Sequence, residues 1–200
     1  MQIKPIFPQA VLGFDVLDID ESKVIDFLKK ENFDLTSNSK EKDIPCFISH
    51  NMQLLDSLHF LKEKINNSIK HYLNNVLELK MNFKIKKSWA IRTLENGFSQ
   101  EHVHSNSFLS GVYYPKGSKD FFIKFIKNKS FWDIELLKIN ELNALWYKMN
   151  ISYNNTLFLF PSDLMHSIEK NLSDEIRYSI AFNVLPFGEI GEIDSRIEFL

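Results

Sequence analysis

The stretch Gln100-Glu101-His102-Val103-His104, running on into Ser107-Phe108-Leu109-Ser110-Gly111-Val112-Tyr113-Tyr114, decides how this chain is read. Two of the six histidines lie there, two residues apart, at the mouth of an apolar run. In an extended chain, residues i and i+2 point to the same side. His102 and His104 can therefore aim two imidazoles at one point, and a metal ion is the natural occupant of such a point.

The pattern around this stretch is strand-like. Phe83, Ile85, Trp89, Ile91 and Thr93 alternate with polar residues or alanine, and Asn96-Gly97 marks a turn. His102–Tyr114 reads as one strand, followed by strands over Asp120–Ile126, Ala144–Met149, Thr156–Phe160, Met165–Lys170 and Arg177–Leu185. Residues 127–143 are mixed and read as a loop with a helical turn. Short strands at regular spacing without long intervening helices argue for a barrel or jelly roll.

Upstream the period changes. Glu21–Lys30 is helical, with Asp20 or Ser22 as cap, and residues 31–45 form a polar loop broken by Pro45. From Met52 to Leu79 the apolar residues keep helical spacing, which predicts one long helix. His59 and His71 belong on its surface. The expected architecture is mainly β, a jelly roll with a helical N-terminal layer (α+β overall). Its organisation is a single domain over 1–200: a helical supporting layer at 1–80, a β core at 81–187 carrying the site, and a C-terminal tail at 188–200.

Composition excludes more than it identifies. The net charge of −2 gives no global case for nucleic acid or an anionic membrane. No 18-residue apolar run predicts a membrane-spanning helix, no secretory signal is evident at the N-terminus, and the cytoplasm is the expected compartment. The single cysteine, Cys46, excludes an internal disulfide framework and reads as a small buried hydrophobe. Only three of the 24 basic residues are arginine, so the position of each arginine carries information.

A His-x-His pair alone is weak evidence, and a third ligand is needed. His166 supplies it, four residues beyond Pro161-Ser162 at the end of an apolar run. Arg177-Tyr178-Ser179 then opens the last strand, and an arginine fork with a hydroxyl on the same side suits a carboxylate. Taken singly, each piece has a plainer reading: a polar loop, a core histidine, an arginine paired with Asp174 or Glu175. The joint order is what carries weight.

That order resembles the 2-oxoglutarate/Fe(II)-dependent oxygenases of bacteria and phages, which are prolyl-4-hydroxylase-like. The matching residues are Trp89, His102, His104, Ser110-Gly111-Val112-Tyr113-Tyr114, Phe160-Pro161-Ser162, His166, and Arg177-Tyr178-Ser179-Ile180-Ala181-Phe182-Asn183. The resemblance spans roughly residues 85–186. It implies a double-stranded β-helix (jelly roll, cupin-like), with Fe(II) held by His102, His104 and His166. It implies further that Arg177 and Ser179 bind the far carboxylate of 2-oxoglutarate, with Tyr114 on the same carboxylate and Asn183 lining the pocket. The implied activity is a dioxygenase, most simply a hydroxylase, that turns 2-oxoglutarate into succinate while dioxygen oxidises a C–H bond.

One departure stands out. The usual second ligand is a carboxylate, and here it is His104. Three neutral imidazoles leave the site one charge more positive and suit softer metals such as zinc more readily. Two other readings stay open: a cupin-like three-histidine metalloenzyme indifferent to 2-oxoglutarate, and a jelly-roll binding module without chemistry. The primary substrate is unspecified among protein side chains, nucleobases and metabolites. The basic run Lys116, Lys119, Lys124, Lys127 and Lys129 is either a solvated face or a receiver for an acidic or nucleic-acid substrate. The N-terminal helices are either a substrate wall or a homodimer surface.

Overall fold

The computed structural model describes residues 12–127 and 145–199. The expected loop with a helical turn at 127–143 lies, apart from Lys127, outside the described residues, as does most of the segment before Gly13. Two antiparallel sheets face each other. The larger contains β1 (Gly13–Val16), β2 (Phe33–Leu35), β3 (Cys46–Ser49), β4 (Asn82–Thr93), β6 (Leu109–Tyr114), β9 (Thr156–Pro161) and β11 (Arg177–Ile190), with β12 (Ile197–Phe199) paired to the far end of β11. Its order is β1-β9-β6-β11-β4-β3-β2. The smaller has the order β5-β10-β7-β8, from β5 (Ser99–His102), β7 (Phe122–Ile126), β8 (Trp146–Asn150) and β10 (Met165–Ile168). The fold is a double-stranded β-helix, mainly β.

The central strands β6 and β9 of the larger sheet are buried on both faces, and they are apolar or small almost throughout for that reason. Along β9, Leu157 and Leu159 face the helices while Phe158 and Phe160 face the interior between the sheets. Along β11, Ile180, Phe182 and Val184 take the helical side, and Ser179, Ala181 and Asn183 line the interior. The helical side is covered by α1 (Glu21–Leu28) and α3 (His59–His71), whose buried Val24, Leu28, Leu61, Ile65 and Ile69 join one core with that face.

Three local expectations are corrected. The long helix is divided: Leu54–Ser57 form a separate 3-10 turn, α3 starts at His59, and a π turn occupies Tyr72–Val76. The division has a cause, because the Leu55 amide donates to Ser88 Oγ of β4 at 3.0 Å, which pins this turn to the sheet. His59 and His71 are exposed, as expected. Residues 31–45 are more than a loop: they contain β2 and the short α2 (Ser37–Lys42), capped by the Thr36 hydroxyl accepting from the Ser39 amide. And His102–Tyr114 is two strands, not one. β5 belongs to the small sheet and β6 to the large one, and the chain crosses between them with Asn106 at φ 56°.

Candidate metal centre

That crossing builds the site. β5 delivers His102 opposite His166 of β10 in a direct cross-strand pair. His104 lies just past the end of β5, held by its backbone amide donating to the Ser162 carbonyl at 2.9 Å. The three rings converge, with centroids 4.3 Å apart for His102–His166, 5.2 Å for His104–His166 and 5.4 Å for His102–His104. One nitrogen from each ring falls within 4.8 Å of the others.

The other nitrogens are already engaged. His102 Nδ1 donates to the Gln100 carbonyl at 2.7 Å, His166 Nδ1 to the Leu164 carbonyl at 3.0 Å, and His104 Nδ1 to Asn183 Oδ1 at 2.7 Å. A proton on each Nδ1 leaves each Nε2 as a bare lone pair, the tautomer a metal requires. Burial, with the neighbouring His102, pushes His166 down to about 3. Burial likewise lowers His104, Asn183 opposes this, and His102 and Lys87 add to it. Three neutral donors in a facial cluster fit a divalent transition metal.

Beyond the imidazoles lies a cavity of about 390 Å³ between the sheets. Arg177, Ser179, Tyr114 and Asn183 all line it. Arg177 stacks its guanidinium 3.9 Å from the Phe121 ring centroid and donates through Nη2 to the Glu169 carbonyl at 2.9 Å. Among the described residues no carboxylate lies within ion-pair distance of it, so Asp174 and Glu175 are not its partners. Burial pushes this cation down to about 10. Tyr114 is 1% exposed and its hydroxyl has no hydrogen-bond partner. Burial raises its phenol, and nearby Arg177 opposes the rise. A half-buried cation with no carboxylate partner among the described residues, in one cavity with a buried hydroxyl without a partner, is an incomplete arrangement that a carboxylate would complete.

Asn183 is at its expected place and has a further role. It lines the cavity, and its amide oxygen is committed to His104 and also accepts from Ser110 Oγ at 3.2 Å. Ser110 in turn bonds Ser162 Oγ at 2.8 Å. Reasoning from spacing left Ser110 and Ser162 without a role, because only register joins β6, β9 and β11 at this level. Of the described lysines of the 116–129 run, Lys116, Lys119, Lys124 and Lys127, none lines the cavity. Lys124 pairs with Glu101 at 3.5 Å and lies 5.9 Å from the Trp146 ring centroid, while Lys129 is outside the described residues.

The comparisons agree with this chemistry. Residues 87–183 match the model of a family described as "Putative 2OG-Fe(II) oxygenase". This segment, just under half of the chain, is similar to the 2OG-Fe(II) oxygenases. The cofactors of that family are Fe(II) and 2-oxoglutarate, and the matched segment contains all three histidines together with Tyr114, Arg177, Ser179 and Asn183. Solved structures share the fold. An oxidoreductase of the 2OG-Fe(II) oxygenase family from Burkholderia pseudomallei superposes with a TM-score of 0.59 at 9% identity, over 82% of this chain and 76% of that one. HygX from Streptomyces hygroscopicus, solved with nickel, 2-oxoglutarate and hygromycin B, gives 0.59 at 11% identity, over 88% and 82%. SnoN, the non-heme alpha ketoglutarate dependent epimerase of nogalamycin biosynthesis, gives 0.63 at 14% identity, over 88% and 76%. No curated protein matches the chain.

Proposed function

We propose that this protein is a 2-oxoglutarate-dependent Fe(II) dioxygenase that hydroxylates an unactivated C–H bond of a small molecule. The observation that carries the reading is the pairing of two incomplete sites in one cavity. Three imidazoles present bare Nε2 atoms, and in the same cavity Arg177, with no carboxylate in ion-pair distance among the described residues, stands with the unpartnered Tyr114 hydroxyl. A cupin-like metal site indifferent to 2-oxoglutarate leaves that second half unexplained.

When bound, Fe(II) and 2-oxoglutarate supply the oxidation: dioxygen, 2-oxoglutarate and R–H become R–OH, succinate and carbon dioxide. The chain's own share is geometry. His102, His104 and His166 would hold the metal through their Nε2 atoms. Their Nδ1 bonds hold each ring at a fixed angle. Arg177, with Ser179 and the Tyr114 hydroxyl, receives the far carboxylate, and the Phe121 ring beneath the guanidinium keeps that end dry. Phe160 and Trp89 flank His104 and form apolar walls that exclude water.

The small-molecule part of the reading is supported by relatives of the same fold solved with hygromycin B and with nogalamycin RO. The test is turnover. Purified protein with Fe(II), ascorbate, dioxygen and 2-oxoglutarate is expected to release succinate slowly without substrate, and His166→Ala to release none above background. Succinate release that is equal in both proteins contradicts the proposal.

A further inference from the structure

Among the described residues the walls of the cavity carry no aspartate or glutamate. They do carry two cationic side chains, Arg177 and Lys87, at different ends. Arg177 pairs across the sheet with Thr93, whereas Lys87 pairs with Asn183, the residue that holds His104. Arg177 and Asn183 are six positions apart on β11, which separates their backbones by on the order of 20 Å. One anion therefore cannot satisfy both cations, and the Arg177 end is accounted for by 2-oxoglutarate.

Lys87 is exposed at the metal end of the cavity. Its ammonium lies 5.2 Å from the Trp89 ring centroid, and Trp89 in turn lies 5.6 Å from the His104 ring. Among the described residues no carboxylate is within ion-pair distance of it. Its position over an indole holds the charge at the mouth instead of letting it swing into bulk water. The metal set strengthens the case. With three neutral imidazoles, Fe(II) and the 2-oxoglutarate dianion cancel, so Arg177 and Lys87 leave the loaded cavity net positive.

We infer that the primary substrate carries an anionic oxygen group, a carboxylate or a phosphate, received by Lys87 while an apolar part of the molecule lies against Trp89 beside the metal. This rests on reading the site as a 2-oxoglutarate oxygenase, and it adds the chemical class of the molecule to be oxidised. Lys87 acts as a specificity residue. It selects and orients without taking part in the chemistry.

The test uses protein loaded with Mn(II) and 2-oxoglutarate without oxygen, and reads the paramagnetic line broadening of small probes by NMR. The probes are phenyl phosphate, benzoate and neutral benzyl alcohol. At least one anion is expected to bind about tenfold more tightly than benzyl alcohol, as loss of one charge-assisted hydrogen bond predicts. Lys87→Met, a change at an exposed position, is expected to erase that preference, and Lys87→Arg to restore it. The stronger of the two anions tells phosphate from carboxylate. No preference for anions, or a preference that survives Lys87→Met, overturns the inference. Broadening of 2-oxoglutarate in the same samples separates the two levels. If 2-oxoglutarate binds and the anion preference is absent, only this inference falls, whereas failure of 2-oxoglutarate to bind removes both.

Discussion

His104 Nδ1 donates to Asn183 Oδ1 at 2.7 Å, across 79 residues of chain. This bond fixes the tautomer and angle of the one proposed metal ligand that departs from the usual His-x-carboxylate pattern. Removing it with Asn183→Leu frees the ring to rotate and to swap tautomer. Metal affinity is expected to fall about 10- to 100-fold, the range for loss of an outer partner of a ligating histidine. Asn183→Asp keeps an acceptor and is expected to retain most of the affinity. Metal titration by calorimetry with Mn(II) or Zn(II) measures both.

Arg177 and Tyr114 are expected to affect 2-oxoglutarate and leave the metal alone. Arg177→Met removes a charge-assisted pair and is expected to weaken 2-oxoglutarate binding by about 100-fold, with metal affinity unchanged. Tyr114→Phe removes a hydroxyl that has no partner in the absence of ligand. It is therefore expected to leave thermal stability unchanged or slightly raised, while weakening 2-oxoglutarate by about tenfold. Thermal melts with and without 2-oxoglutarate check the contrast.

The histidine cluster also predicts how the metal-free protein responds to acid. His166 stays neutral in the folded state down to about 3, against an ordinary value of 6.5. Between these values the unfolded chain binds the extra proton, so stability falls as pH drops from 6.5 toward 3 and is independent of this group above 6.5. The slope from His166 alone is about 1.4 kcal/mol per pH unit. His104, also lowered by burial, acts in the same direction. Urea melts at pH 7, 6 and 5 measure the slope, and His166→Gln is expected to make it shallower.

Gly111 lies in the Ser-Gly-Val-Tyr-Tyr string, and its requirement is steric. A β-carbon there would come within 2.1 Å of Phe182 Cζ and 2.5 Å of Phe182 Cε2 on the neighbouring strand. Phe182 is fully buried in the core under the helices. Gly111→Ala is expected to destabilise the protein by about 1–3 kcal/mol, the usual range for overpacking, without altering the order of 2-oxoglutarate and metal affinities. Denaturant unfolding checks it.

Much of this was legible in the sequence, and the misses share a cause. His102, His104, His166 and Arg177 were identifiable because scarce residue types occurred in a set order, and order survives whatever path the chain takes. Reading His102–Tyr114 as one strand left no way to place Tyr114 relative to the histidines, because the chain changes sheet between them. Tyr114 does line the same cavity, but it arrives from the opposite sheet, after the crossing at 103–108. Alternation could not reveal this, because strands buried on both faces are apolar at successive positions, as at Leu157–Phe160. The Asn183–His104 bond and the Ser110–Ser162 support depend on the register of three strands distant in sequence. Composition of any one strand contains no trace of that register. β2 and α2 were missed because a short polar edge and a six-residue helix lack a periodic apolar signal.

The central claim is that one cavity holds a metal and 2-oxoglutarate together. Its most direct test is anaerobic calorimetry of 2-oxoglutarate with and without Fe(II). One 2-oxoglutarate per chain is expected to bind tightly with Fe(II) and weakly without it, and the enhancement is expected to vanish in His104→Ala. Heat of binding that is absent in both conditions, or the same with and without Fe(II), would contradict the account.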